Sequence, residues 1–349
     1  MKKGILLLVA AFLPTLATRA QSPVLLTKDL PPYCSVLTTW GVHPEWDEKA
    51  EHLYFLNKKV GDVFKINLKT RAITLVTTFY HGGVHRVRCL PNGDLLLAMG
   101  GRVFDADEPE RDRQAGLQLF LLKKDEPGKL YPLEAYCEDG LAVARNQLRL
   151  AWTLPGKQEI RVAELIYNKG IPALSNVRSA VSYLDTSAHL RLEAADFRPP
   201  LDDELIYTHY TGDTQQPFRN AQAFGLHLPS RKLTRYTPAP AGYHQAVGIF
   251  PDGKSLLLES ERLPGASRPA RQLDLCRLKL DGTGETERLA EAPSGPISGG
   301  GVVNRPGTLI AHPLSQGKGE AQGILLLDLE KFALYKAQRS GPPRKIAIK

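Results

Sequence analysis

Phe250-Pro251-Asp252-Gly253-Lys254-Ser255-Leu256-Leu257-Leu258-Glu259, followed by Asp274-Leu275-Cys276-Arg277-Leu278-Lys279-Leu280-Asp281-Gly282, is the stretch whose reading decides the fold. Asp-Gly tolerates the positive φ that a tight hairpin needs at its centre, so the copy opens with a hairpin. A three-residue apolar strand core comes next, and then a second strand that ends near Asp. The same phrase recurs, with cores at Leu53-Tyr54-Phe55, Leu95-Leu96-Leu97, Leu148-Arg149-Leu150, Leu205-Ile206-Tyr207, Leu256-Leu257-Leu258 and Leu309-Ile310-Ala311. Polar turn chemistry precedes each: His43-Pro44-Glu45-Trp46-Asp47, Pro91-Asn92-Gly93-Asp94, Arg145-Asn146-Gln147, Pro200-Leu201-Asp202-Asp203, Pro251-Asp252-Gly253 and Asn304-Arg305-Pro306-Gly307.

A repeat of this size, made of strands and turns, buries its apolar face only against another copy, which implies a radial array. Period-two alternation marks a further strand in most copies, as at Val63–Leu68, Leu117–Phe120, Ile160–Ala163 and Ile324–Leu329. Several copies end in another strand, such as Ala72–Val76 and Lys232–Tyr236. The predicted fold is an all-β, six-bladed propeller of four-stranded antiparallel blades. Little chain remains after the last copy for an outer strand, so an N-terminal strand at Pro23-Val24-Leu25-Leu26-Thr27 is expected to complete that blade and close the ring.

Residues 1–20 read as a signal peptide: Lys2 and Lys3, the apolar run Ile5 to Leu13, then Thr18 and Ala20 before a cut ahead of Gln21. That run is too short for a comfortable membrane span, and no Cys follows the cut. The remaining 21–349 are expected to form a single propeller domain, soluble, periplasmic or secreted, and monomeric. Without Lys2, Lys3 and Arg19, 42 basic residues face 37 acidic ones, a net charge of +5. So small an excess favours solubility and does not point to nucleic acid. The basic tail, residues 339–349, reads as a solvated terminus. Charged residues 105–113 and the stretch 263–269 read as loops in blades two and five. Cys34, Cys89, Cys137 and Cys276 lack any Cys-x-x-Cys pairing, which argues against a zinc knuckle or redox dithiol. Cys89 and Cys276 lie in apolar strand patterns and are expected to be buried small side chains.

These copies resemble the TolB-like propeller family, whose repeat carries Ser/Phe-Pro-Asp-Gly-Lys, an apolar strand, and Asp-Leu-x-x-x-x-Leu-Asp-Gly. The match is strongest at Phe250–Leu258 and Asp274–Gly282, and degraded at His43–Asn67 and Leu90–Leu97. The third, fourth and sixth copies keep only the strand rhythm. The resemblance implies several occupations: docking partner proteins at the cell envelope, presenting a loop face beside a peptidase domain, or, in the oligogalacturonate lyase branch, cleaving acidic oligosaccharides. Neither Gly-x-Ser-x-Gly nor His-Glu-x-x-His occurs, so no fused peptidase is read.

Propeller ligands meet the residues entering the innermost strands, where six chains converge on the channel. Candidate contacts there are His81, His85 and Arg86 in blade two, Glu138 and Asp139 in blade three, Glu193 in blade four, His244 and Gln245 in blade five, and Ser298 with Gly299–Gly301 in blade six. Two functions remain open on this set. A binding module for an envelope protein or glycan needs no cofactor and uses these groups as polar contacts. A polysaccharide lyase would hold a divalent metal on His81, His85, His244 and Gln245, the metal stabilising enolate-like charge as a base takes the proton α to a uronate carboxylate. Trp46, Tyr54 and Phe55 read as core, Trp152 as core or sugar platform, and Glu259-Ser260-Glu261 as a solvated turn. No catalytic pair of carboxylates is assigned.

Overall fold

The computed structural model describes residues 30–100, 116–138, 140–156, 158–183, 190–215, 218–237, 242–261, 273–290, 300–316 and 320–339. Six four-stranded antiparallel sheets make up the fold, each running from the axis outward. Blade one holds β2 (Val42–Trp46), β3 (His52–Leu56), β4 (Val63–Asn67) and β5 (Ile73–Leu75). In blade two are β6 (Val84–Cys89), β7 (Leu95–Gly100), β8 (Leu117–Leu122) and β9 (Leu130–Tyr136). Blade three has β10 (Leu141–Val143), β11 (Arg149–Thr153), β12 (Glu159–Asn168) and β13 (Ile171–Ser182). Next come β14 (Arg191–Phe197), β15 (Glu204–Thr211), β16 (Asn220–His227) and β17 (Leu233–Arg235) as blade four. Blade five consists of β18 (His244–Ile249), β19 (Ser255–Glu261), β20 (Leu273–Lys279) and β21 (Thr286–Ala290).

The last blade takes β22 (Val302–Val303), β23 (Leu309–Gln316) and β24 (Glu320–Asp328) from one end of the chain and β1 (Cys34–Thr38) from the other. β1 pairs antiparallel with β24, Cys34 opposite Leu327 and Val36 opposite Leu325. Closure by an N-terminal strand is therefore present, but at 34–38. The segment 23–27 expected there lies outside the described residues, as do 1–22, 105–113, 263–269, Asp139, Ser298, Gly299 and 340–349. The position follows from packing, because Leu37 of β1 joins Ile324 and Leu326 against Trp46 and Phe55 of blade one. One helix, α1 (Leu329–Arg339), follows β24 and lays Phe332 against Tyr33, their ring centroids 5.0 Å apart.

The apolar faces meet between blades rather than within them. Leu96 and Leu119 pack with Leu150 and Trp152 between blades two and three. Ile160 and Val162 meet Phe197 and Tyr207 between three and four, Ile206 meets Leu256 and Leu258 between four and five, and Leu257 and Leu275 meet Ile310 and Leu327 between five and six. Blades one and two share Leu56, Val63, Val87 and Leu97. Burying each such side chain stabilises the fold by about 1.5–3 kcal/mol, so a blade detached from its neighbours loses both of its apolar faces to water.

The deciding hairpin closes as its sequence requires: Gly253 N–H donates to Phe250 O (2.9 Å), Phe250 N–H to Ser255 O (2.9 Å), and Gly253 sits at φ 66°. A Cβ there would stand 2.1 Å from the carbonyl oxygen of Pro199 in the next blade's turn. Gly93 and Gly307 occupy the equivalent left-handed position, and so do Ala50 and Asp202, at φ 57° and 53°. The first and fourth copies thus keep the turn while dispensing with glycine. His43-Pro44-Glu45-Trp46, expected as turn, is the innermost strand β2, with a register break between Val42 and Glu45 and His43 at φ 51°. A bulge beside the channel accommodates Pro44, which has no N–H to give a ladder.

Candidate functional site

The innermost strands β2, β6, β10, β14, β18 and β22 surround the axis; the face on which they begin is called upper here. Approach at that end is close. A Cβ on Gly140, just before β10, would lie 2.6 Å from the backbone nitrogen of Ala194 in the neighbouring innermost strand. Buried threonines hold these strands in place: Thr153 Oγ1 accepts from Ala194 N–H (3.2 Å), and Thr208 Oγ1 from Ala246 N–H (3.0 Å).

At the upper mouth Arg86, Arg191, Glu193, Tyr210, Phe218, Tyr243 and Gln245 line a cleft of about 220 Å³. Its side chains form a connected network. Glu193 Oε2 accepts from Arg191 Nη2 (3.0 Å) and from Tyr210 Oη (2.7 Å). The Arg191 guanidinium lies 5.0 Å from the centre of the Tyr210 ring, a cation–π distance. Tyr210 and Tyr243 have ring centroids 6.0 Å apart, and Tyr243 Oη donates to Gln245 Oε1 (2.7 Å). With that oxygen occupied, the Gln245 amide keeps its NH2 as donor. Burial pushes both phenols up, with Glu193 adding to the effect on Tyr210, so these hydroxyls stay protonated and donate. Across the mouth Arg86 Nη1 donates to His43 Nδ1 (2.8 Å), and Gly300 lies beside Arg86, which a Cβ at Gly300 would approach to 3.6 Å. Glu259 Oε1 accepts the Gly300 N–H (3.0 Å).

Of the seven expected contacts that lie among the described residues and carry a side chain, three, Arg86, Glu193 and Gln245, thus share one cleft. The other four turn to protein groups. His81 Nε2 lies 3.0 Å from Asp62 Oδ1, and its Nδ1 accepts from Gly83 N–H (3.0 Å). His85 is buried, stacked on His43 with ring centres 6.3 Å apart. His244 Nδ1 pairs with Ser260 Oγ (2.7 Å), and burial lowers its pKa against the opposing influence of Glu261, which keeps the ring neutral at pH 7. Glu138 Oε1 accepts from Gly156 N–H (3.0 Å). The ring nitrogens of His81, His85 and His244 do not gather within 4.8 Å of one another; among the described residues, the His, Cys, Asp and Glu trio that does is Asp47, Glu51 and His52. That trio ties a turn together: Asp47 Oδ1 accepts from Glu51 N–H (2.8 Å) and Oδ2 faces His52 Nδ1 (2.9 Å).

Sequence reasoning missed Arg191, Tyr210 and Phe218. Arg191 and Glu193 stand two apart at the start of β14 and so share a face, a signal available in the sequence. Tyr210 and Phe218 belong to the far end of β15 and its following loop, where no local pattern points to the axis. Glu259 and Ser260, expected in a solvated turn, are buried in β19, Glu259 at 1% exposure. Trp152 is core at 1% exposure and offers no sugar platform; Trp46 is core too, donating from its indole to Val302 O (3.0 Å). Cys89 and Cys276 are buried, as expected.

The lower end of the channel is built differently. Glu45, Arg88, Arg145, Asp196 and Arg305, with the backbone around Ala195 and Val247, enclose a cavity of about 60 Å³. Arg88 bridges Glu45 Oε2 in blade one (2.9 Å) and Leu141 O in blade three (2.9 Å). Arg145 reaches from blade three to Ile249 O in blade five (2.7 Å), with Asp196 Oδ2 at 3.5 Å. Arg305 crosses from blade six to the carbonyl of Arg145 (2.8 Å). Burial raises the Glu45 pKa; Arg88 opposes it and Asp196 adds to it.

No helix among the described residues is long and apolar enough to cross a membrane. No protein-family model matches the chain, and no curated protein matches its sequence. Solved structures do match its shape. A gluconolactonase from Xanthomonas campestris superposes with a TM-score of 0.53 at 13% identity, over 84% of this chain and 88% of that one. An oligogalacturonate lyase in complex with manganese gives 0.52 at 11% identity, over 82% and 76%. TolB from Acinetobacter baumannii gives 0.37 at 12% identity, over 82% and 54%. At such identities the likeness to the gluconolactonase and the lyase, whose activities differ, is one of fold alone.

Proposed function

We propose that the protein is an exported binding module that engages a protein or glycan partner at the cell envelope through the upper channel mouth. The observation that supports this reading is the cleft in which Arg86 and Arg191 stand beside Tyr210, Tyr243, Phe218 and the Gln245 amide. Two guanidinium groups select an anionic group, and a carboxylate suits their planar forks. Aromatic faces accept the flat flank of a sugar ring or an aliphatic stem. The groups are held before any partner arrives, since Glu193 fixes Arg191 and Tyr210 while Tyr243 fixes Gln245; such preorganisation reduces the entropy lost on binding. The neighbouring imidazoles are engaged by Asp62, Ser260 and Arg86, which favours binding over proton transfer.

Calorimetric titration of the protein with oligogalacturonides and with acidic peptides tests the proposal. Saturable binding that is lost in Arg191→Ala and in Tyr243→Ala supports it. Absence of binding to either class, or accumulation of unsaturated uronate products during the titration, overturns it.

A further inference from the structure

We infer that the lower channel cavity is a binding site for one small monovalent anion, a halide or a one- or two-carbon carboxylate, held between Arg145 and Arg305. Three arginines and three carboxylates line this end of the channel, and one of the arginines, Arg305, stands apart from all three carboxylates. Glu45 is taken by Arg88 Nη1 and by Cys89 N–H (3.2 Å). Asp196 accepts from Ile249 N–H (3.1 Å), from Phe197 N–H (2.8 Å) and, at 3.5 Å, from Arg145. Asp47, also on the wall, is held by His52 and Glu51. Arg305 has no carboxylate within ion-pair distance among the described residues, and donates one hydrogen bond, to Arg145 O. A guanidinium carries five N–H donors, so most of its capacity is unused by protein.

Arg145 adds a second donor. Its Nε–H is buried and has no hydrogen-bond partner among the described residues, although Nη2 is engaged. A cation apart from the carboxylates and an unsatisfied donor on the wall of one small cavity both lower their free energy if an anion enters. The volume, about 60 Å³, fits a few waters or one small ion. Glu45, Asp47 and Asp196 stand on the same wall and balance the three arginines, so a divalent oxyanion is disfavoured. Because Arg145 and Arg305 link blades three, five and six, the anion would act as a staple of the ring, apart from the upper cleft.

Thermal unfolding of the full chain in chloride, formate or sulfate, each against gluconate at equal ionic strength, reads the site. The melting temperature should rise with the logarithm of chloride or formate concentration, as linkage requires of a ligand of the native state. Arg305→Gln should abolish that dependence, while Arg305→Lys, which keeps the charge, should retain it with affinity weakened roughly ten-fold. Equal stabilisation by sulfate, or an unchanged chloride dependence in Arg305→Gln, overturns the assignment. Should Arg305→Gln fail to fold, bromide-soaked crystals of the unaltered protein decide: an anomalous peak between Arg145 and Arg305 supports the site, and a bare axis overturns it.

Discussion

At the lower end of the channel Arg88 and Arg145 donate to backbone carbonyls of other blades, whereas at the upper mouth Arg86 meets the imidazole of His43 and Arg191 the carboxylate of Glu193. A bond to a carbonyl in another blade fixes where that blade stands. The bond from Arg191 to Glu193 stays within one strand and fixes the donor alone, while that from Arg86 to His43 joins only the two adjacent blades one and two. The same residue type therefore serves architecture at one end and recognition at the other, according to what it bonds.

The comparison breaks most visibly if the lower end is damaged. Glu45→Ala leaves the Arg88 guanidinium without its carboxylate in a nearly buried setting, and should cost about 3–5 kcal/mol in urea unfolding. The affinity of the upper cleft in the folded fraction should stay unchanged; a parallel loss of affinity would show that the two ends are coupled.

Acid sharpens the contrast between structural and exposed histidines. His312 in β23, 2% exposed, has its pKa lowered by burial to about 4, with the Nδ1 contact to Pro313 O opposing. Its unfolded counterpart takes up a proton near the ordinary histidine value of about 6.5. Between those limits the unfolded chain binds more protons, so stability should fall as pH drops from about 6.5 to 4, by on the order of 3 kcal/mol, and level off below. His312→Gln should flatten that segment of the stability–pH curve measured by urea melts.

At the upper end the order of effects reverses. Arg191→Ala leaves Glu193 its hydrogen bond from Tyr210 and should cost about 1–3 kcal/mol of unfolding stability, less than Glu45→Ala, while weakening the anionic partner roughly ten-fold or more in calorimetry. Tyr243→Phe deletes the hydrogen bond to Gln245 and should cost about 1 kcal/mol of binding, with the fold intact by circular dichroism. A larger stability loss in either variant would mean that the upper network, too, is architectural.

The fold was legible because its signal is local and repeated. The six apolar cores 53–55, 95–97, 148–150, 205–207, 256–258 and 309–311 fall on the second strand of each blade or abut it, and the alternating segments fall on the third. His43–Asp47 misled because a bulge beside the axis uses the same Pro and positive-φ chemistry as a turn. The closing strand was expected at 23–27, and the structure places one at 34–38, because Leu37 packs with Ile324 and Leu326 against Trp46 and Phe55, a contact between chain ends that no local pattern announces.

The site was legible only in part. Arg86, Glu193 and Gln245 belong to the beginnings of innermost strands, so the repeat itself points to them. His81 sits in the same stretch of chain yet turns outward to Asp62, a residue of blade one whose proximity no spacing reveals. Tyr210 enters the cleft from the far end of a second strand, and Arg145 and Arg305 meet across the axis although 160 positions separate them.

Sequence alone determined the number of blades, the strand rhythm and the hairpin turns, because hydrophobic period and φ preference act over a few neighbouring residues. Tertiary structure alone decided which arginines brace the ring and which wait at its mouth. That choice depends on what the facing blades present across the channel, and those distances come into being only when the circle closes.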